Sequence, residues 1–217
     1  FFEIKHLKDY WTHLQKYKKE NKVLGIDPLL HSVKEIEKIN DFFINSNIII
    51  NYLYKNPIDI NWNDQPLPPK SKAFIHEDIY AGENSQSKIC KIQKILKSKN
   101  IDYYLLSSLD SIAWLLNLRG NDIQYTPILC CYVIIPIMGK VEFFIDQSKI
   151  NHLVKELSST INFYSIKEID QYLISINRKK NIGFDESLTP FHFKKICNKI
   201  GFNIFNYENP CLYPKAK

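Results

Sequence analysis

Apolar positions at Ile4, Leu7, Trp11, Leu14 and Tyr17 recur with a helical period and predict an amphipathic helix over residues 4–19. The short run 23–27 then reads as a strand, closed by the turn-forming pair Asp27-Pro28. Val33, Ile36, Ile39 and Phe43 put one apolar face on a helix over 31–43, with Ser32 placed to cap it. Residues 47–54 are β-branched and aromatic, which favours a strand. Pro57, Pro66, Pro68 and Pro69 follow among polar residues, and they predict a stiff, extended linker.

Beyond the linker, Ile89, Ile92 and Leu96 define the inner face of a helix over 85–98. Strands are expected at 103–107, at 127–135 and at 141–145, the last two joined as a hairpin through Pro136-Ile137-Met138-Gly139-Lys140. The run 127–135 has almost no polar residue, so it is expected at the centre of a sheet, buried on both faces. A short helix capped by Ser108 and ending near Leu116 lies between the first two. Helices over 149–157, 166–176 and 190–199 alternate with strands over 162–164, 182–184 and 203–205. The fold class is therefore α/β, a mixed sheet flanked by helices.

One pattern occurs twice. Lys22-Val23-Leu24-Gly25-Ile26-Asp27 is echoed by Lys180-Asn181-Ile182-Gly183-Phe184-Asp185, each between amphipathic helices. Each copy then reaches a second strand and an Asn-Pro exit, Asn56-Pro57 and Asn209-Pro210. Glycine lets the strand approach its neighbour closely, the aspartate is expected to cap the next helix, and Asn-Pro ends the strand. Two related domains are expected, 1–66 and 67–217, the first truncated.

Composition narrows the chemistry. The 217 residues carry a formal charge of +6, yet only Arg119 and Arg178 are arginine. The lysines are scattered beside Glu and Asp as solvated helix faces, without the basic clusters and arginines of a nucleic-acid reader. The longest apolar stretches are too short to span a bilayer as a helix. Five cysteines without a C-x-x-C pair fit reduced thiols in a cytoplasmic protein better than a disulfide framework or a zinc site. There is no glycine-rich phosphate loop and no H-E-x-x-H. His76-Glu77-Asp78 alternates faces if extended and does not converge on an ion, and His152, His192 and Cys197 read as packing or surface residues.

The unusual segment is the run Ser108-Leu109-Asp110-Ser111-Ile112-Ala113-Trp114-Leu115-Leu116-Asn117-Leu118-Arg119-Gly120-Asn121-Asp122. Arginine in so lysine-rich a chain points to a fixed, multi-donor role, with Asp110 or Asp122 as the candidate partner carboxylate. The residues singled out are Asp110, Trp114, Arg119, Gly120 and Asp122.

This run, continued to Ile123, resembles the long signature in the second domain of the three-domain aminopeptidase P family. Asn56-Pro57-Ile58-Asp59-Ile60-Asn61-Trp62 resembles that family's connector, Tyr80-Ala81-Gly82-Glu83-Asn84-Ser85-Gln86-Ser87-Lys88-Ile89 the start of its second domain, and Asn209-Pro210 the lead-in to its catalytic domain. Gln65 departs from the pattern, where the family's connector carries arginine before proline. The resemblance implies two creatinase-like N-terminal domains that shape access for peptides with proline second and contribute to a homodimer. It also implies a following "pita-bread" domain whose two Asp, one His and two Glu hold two divalent metals, usually manganese. The chain ends before those motifs, so no catalytic or metal ligand is carried onto its positions. A stand-alone binding module that has lost its catalytic domain is the competing expectation, and a basic nucleic-acid binder a third.

Overall fold

The computed structural model describes residues 10–176 and 179–216. Ile4, Leu7 and Arg178 lie outside them. The strands are β1 (Val23–Ile26), β2 (Ile49–Tyr52), β3 (Phe74–Ile75), β4 (Tyr103–Leu106), β5 (Leu118–Arg119), β6 (Tyr132–Pro136), β7 (Val141–Ile145), β8 (Ile161–Ser165), β9 (Asn181–Phe184) and β10 (Asn203–Asn206). The helices are α1 (Tyr10–Gln15), α2 (Val33–Phe43), α3 (Pro57–Asn61), α4 (Asp78–Ala81), α5 (Ser85–Ser98), α6 (Leu109–Leu116), α7 (Gln147–Ile150), α8 (Val154–Leu157), α9 (Ile169–Ser175), α10 (Phe191–Ile200) and α11 (Leu212–Lys215).

Six strands form one mixed sheet in the order β10-β9-β4-β6-β7-β8. Strand alternation sorts its side chains onto two faces. Leu106, Val133, Ile135, Phe143 and Ile145 pack under α5 and α6 residues such as Ile92 and Leu115. Leu105, Ile134, Phe144, Ile182 and Phe184 pack against Leu173 of α9 and Phe193 of α10. Central β6 is buried on both faces, as its composition requires. It begins at Tyr132 rather than at 127, because Asp122 takes the Cys130 N–H and Thr126 is tied back to Ile123 in a loop.

The two copies of the repeated pattern form matching units. β1 pairs β2 in parallel, and β9 pairs β10 in parallel. Gly25 and Gly183 occupy corresponding places, and a Cβ on either would meet a neighbour at 3.1 Å, Leu53 in the first case and Ile101 and Tyr104 in the second. Asp27 and Asp185 do not cap the following helices. Asp27 accepts the Leu29 N–H (2.9 Å) and the Asn56 side-chain amide (3.2 Å). Asp185 accepts the Ser187 N–H (2.9 Å) and the Asn209 N–H (3.2 Å). Each aspartate thus ties its strand end to the Asn-Pro exit. Ser32, with Glu35 in a reciprocal capping box, caps α2, while Pro190 precedes α10 with no side-chain cap.

The units meet around an approximate two-fold axis. Val33 N–H donates to Thr189 C=O (3.0 Å), and Phe191 N–H donates to His31 C=O (2.9 Å). Lys34 N–H reaches Glu186 C=O (2.9 Å), and His192 N–H reaches Pro28 C=O (3.0 Å). Val33 is buried in the core beneath β9, and Phe191 packs on both that core and the Ile26, Ile36, Ile39 and Phe43 cluster of the first unit.

Other differences from expectation are local. The first helix stops at Gln15 and continues as turns. The linker opens with a helical turn, α3, because Asn56 caps it and Pro57 sits at its first position. The 149–157 helix is two short helices broken at 151–153. The small β3–β5 pairing was not expected, since each partner is only two residues long.

Candidate functional site

The signature run folds into α6, an αL turn at Asn117 (φ 51°) and β5. Asn117 ends the helix in a left-handed conformation that asparagine tolerates better than most residues. Its side-chain amide donates to Asp78 Oδ1 (3.1 Å) and to Glu83 C=O (2.9 Å), which pins α4 against the end of α6. Its carbonyl oxygen accepts from Lys88 Nζ at 2.6 Å.

Arg119 is a brace, but not the one anticipated. Its Nη1 donates to Ala113 C=O (2.5 Å) and Leu118 C=O (3.0 Å), so it closes the last turn of α6 onto β5. Neither Asp110 nor Asp122 pairs with it. Asp122 is buried in an ion pair with Lys149 (2.5 Å) and also accepts the Ser71 hydroxyl (2.7 Å) and the Cys130 N–H (2.7 Å). That carboxylate therefore staples the linker, the loop after Gly120 and α7 together. Asp110 sits at the exposed start of α6, bonded to Lys215 and to the Ser108 hydroxyl. Burial opposes ionisation at Asp110, but the hydrogen bonds from Lys215 and Ser108 outweigh it and hold the carboxyl below its usual range. Ser108 spends its hydroxyl on Asp110 and so does not cap the helix through its side chain.

Gly120 is required by space. A Cβ there would lie 2.2 Å from Leu129 Cδ2. Trp114 is half-buried and lines an open groove of about 1020 Å³ together with Arg119, Lys88, Lys94, Tyr80 and Tyr213. Trp114 and Arg119 thus share one groove, Asp110 lies at the edge of its C-terminal wall, and Gly120 and Asp122 serve the scaffold behind it.

Lys88 was missed in the sequence. It is only 2% exposed, with Nζ 3.0 Å from Trp114 C=O and 4.8 Å from the Trp114 ring centre. Its position four residues before Ile92 and eight before Leu96 places it on the inner face of α5, a signal that the pattern did contain. Lys149, buried through its ion pair with Asp122, was overlooked as well.

His192 Nε2 lies 2.8 and 3.0 Å from the Asp170 carboxylate, in a second groove of about 900 Å³ between the two units. Asp78 of the His76-Glu77-Asp78 cluster is engaged by Asn117. Among the described residues no three of His, Cys, Asp and Glu are placed to hold a metal. Nor is any helix among them long and apolar enough to cross a membrane.

The family model of the creatinase/prolidase N-terminal domain matches residues 64–217. The chain belongs to the creatinase/prolidase N-terminal domain family. Among curated relatives it is 34% identical over 179 residues to "Probable Xaa-Pro aminopeptidase P" of Neosartorya fischeri, a match covering 80% of this chain and 27% of that protein. The protein of the same name from Coccidioides posadasii is 35% identical over 147 residues, covering 67% of this chain and 22% of that one. The chain thus spans about a quarter of the length of these relatives. Its fold is similar to the crystal structure of X-prolyl aminopeptidase from Caenorhabditis elegans, described as a cytosolic enzyme with a di-nuclear active site. That similarity has a TM-score of 0.78 at 19% identity and covers 95% of this chain and 34% of that one. In this creatinase-like chain, then, the signature run is built mainly from braces: Arg119 on carbonyls, Asp122 on Lys149, Gly120 under Leu129.

Proposed function

We propose that this chain is a supporting, non-catalytic N-terminal region of an Xaa-Pro aminopeptidase, with the hydrolysis carried out by a metal-bearing catalytic domain in the complete protein. The observation that carries this reading is the fold similarity to an X-prolyl aminopeptidase over 95% of the chain, joined by the identity to fungal Xaa-Pro aminopeptidases P. The aspartate ties and the two-fold joint support a division into residues 1–66 and 67–217. In this reading the pair shapes access for peptides with proline second and contributes to a homodimer. The complete enzyme holds two divalent ions, manganese in the first instance, and works in the cytoplasm.

The test is direct. The purified 217-residue chain, given Mn²⁺ and an Xaa-Pro peptide, is expected to release no amino-terminal residue, and measurable turnover overturns the proposal. Reading the gene beyond Lys217 is the second arm. The ligand set of two Asp, one His and two Glu is expected there, and its absence would leave a stand-alone binding module instead.

A further inference from the structure

The groove at the end of α6 carries an electrostatic imbalance that the scaffold role leaves unused. Arg119 is half-buried, and both hydrogen bonds it makes run from Nη1 to backbone carbonyls. Nη2 and Nε make none among the described residues. Lys88, beside it, is buried against Trp114 and Asn117 with no carboxylate in contact. Burial holds both cations below their usual pKa range, and for Arg119 no acid offsets it. Lys94 adds a third cation, exposed and without an ion pair among the described residues.

The acids facing the groove offset Lys88 in part and leave Arg119 without a counter-charge. Glu83 is committed to Lys91, at 2.7 and 2.8 Å. Asp110 is paired with Lys215, while Asp78, hydrogen-bonded to the neutral Asn117 amide, keeps its charge and acts with Glu83 on Lys88. Glu208 makes no ion pair among the described residues, and it is exposed at the rim. The second groove differs. There Asp27, Asp59 and Asp170 stand against Lys55, Lys195 and Lys199, three of each sign.

A desolvated cation without a counter-charge, as Arg119 is, is costly, and an entering anion offsets that cost. A guanidinium clamped by one nitrogen leaves its other edge set for a planar, two-oxygen acceptor. The walls of Trp114, Tyr80 and Tyr213 offer aromatic surface to the rest of such a ligand, and the volume is of the order that small-molecule sites have. We propose that this groove binds a small aromatic carboxylate, its carboxylate on the free edge of Arg119 and its ring against Trp114.

Calorimetric titration of the whole chain tests this with three probes: naphthalene-2-carboxylate, naphthalene-2-carboxamide and inorganic phosphate. The carboxylate is expected to bind with a Kd of about 1 mM or tighter, and the other two at least about tenfold more weakly. Arg119→Gln is expected to lower carboxylate affinity about tenfold. Because Arg119 also braces α6, exposed Lys94→Glu is the variant independent of folding, with an expected loss of roughly threefold at an unchanged melting temperature. Equal binding of the carboxamide overturns the role of charge. Equal binding of phosphate overturns the role of the aromatic walls. Undiminished binding to folded Lys94→Glu places the ligand elsewhere and overturns the site. The readout is binding rather than peptide hydrolysis, so its outcome is separate from that of the aminopeptidase reading.

Discussion

The β1–α2–β2 unit and the β9–α10–β10 unit share strand direction, a glycine at the same place and an aspartate tie to an Asn-Pro exit, yet they differ sharply in burial. β9 lies between β10 and β4, and Ile182, Gly183 and Phe184 are buried. Among the described residues β1 has only β2 beside it, and Val23 is 63% exposed. The same local grammar therefore gives a core strand in one unit and a half-covered one in the other. What differs is the number of layers around it. Helix α10 and α9 cover one face of β9 and its sheet neighbours, α5 and α6 the other, whereas β1 relies on α2 and a cluster of four buried residues.

The largest effect should come from cutting the corresponding core residues. Phe184→Ala is expected to cost about 3–5 kcal/mol and to shift the whole urea transition. Ile26→Ala, at the matching position in β1, is expected to cost about 2 kcal/mol and to show mainly as faster amide exchange over residues 23–56. Equal, global effects would erase the distinction between the units.

The glycines come next. Gly183→Ala pushes a Cβ onto buried Ile101 and Tyr104, whereas Gly25→Ala meets only the side chain of Leu53. Thermal melts should show the first losing about 1–3 kcal/mol and the second less than about 1 kcal/mol. The joint between the units should be weaker still. Lys194 bridges Glu37 (2.6 Å) and Glu186 (2.8 Å). Burial works to lower its pKa, but the two glutamates outweigh it and raise the value. A raised lysine pKa gives stability that is full below its unfolded value and is lost as pH rises through the folded one. Lys194→Met should therefore change the melting temperature slightly at pH 7 and flatten its decline above about pH 10.5.

The smallest signal is chemical. Burial pushes the Cys197 thiol of α10 up to about 12, and the same holds for Cys211. Alkylation at pH 8 should therefore reach both only when the second unit opens, at the rate of global unfolding. Labelling on the timescale of first-unit amide exchange would show that the two units open together.

Much of this architecture was legible because it rests on local period and punctuation. Val33, Ile36, Ile39 and Phe43 announced the buried face of α2, and Ser85–Ser98 appeared as a helix with its inner residues identified. The Gly-Asp and Asn-Pro pairs announced the repeat. Their chemistry was misassigned, because an aspartate after a strand looks the same whether it caps a helix or holds an exit strand twenty or more residues away. The site residues show the same limit. Arg119 was visible as an oddity, but its partners, the carbonyls of Ala113 and Leu118, carry no side-chain signature.

By itself, then, the sequence determined the α/β class, the order of the principal strands and helices, the repeat and the family. Those follow from periodicity and from residue types that restrict backbone angles, both of which act within a few positions. Tertiary structure alone decided which cation meets which anion. Lys149 took Asp122 and Lys215 took Asp110, each from a distant part of the chain, and Arg119 was left with backbone and an open edge. Charge pairing depends on distance and burial in space, and the side chains that meet there are chosen by how the layers close.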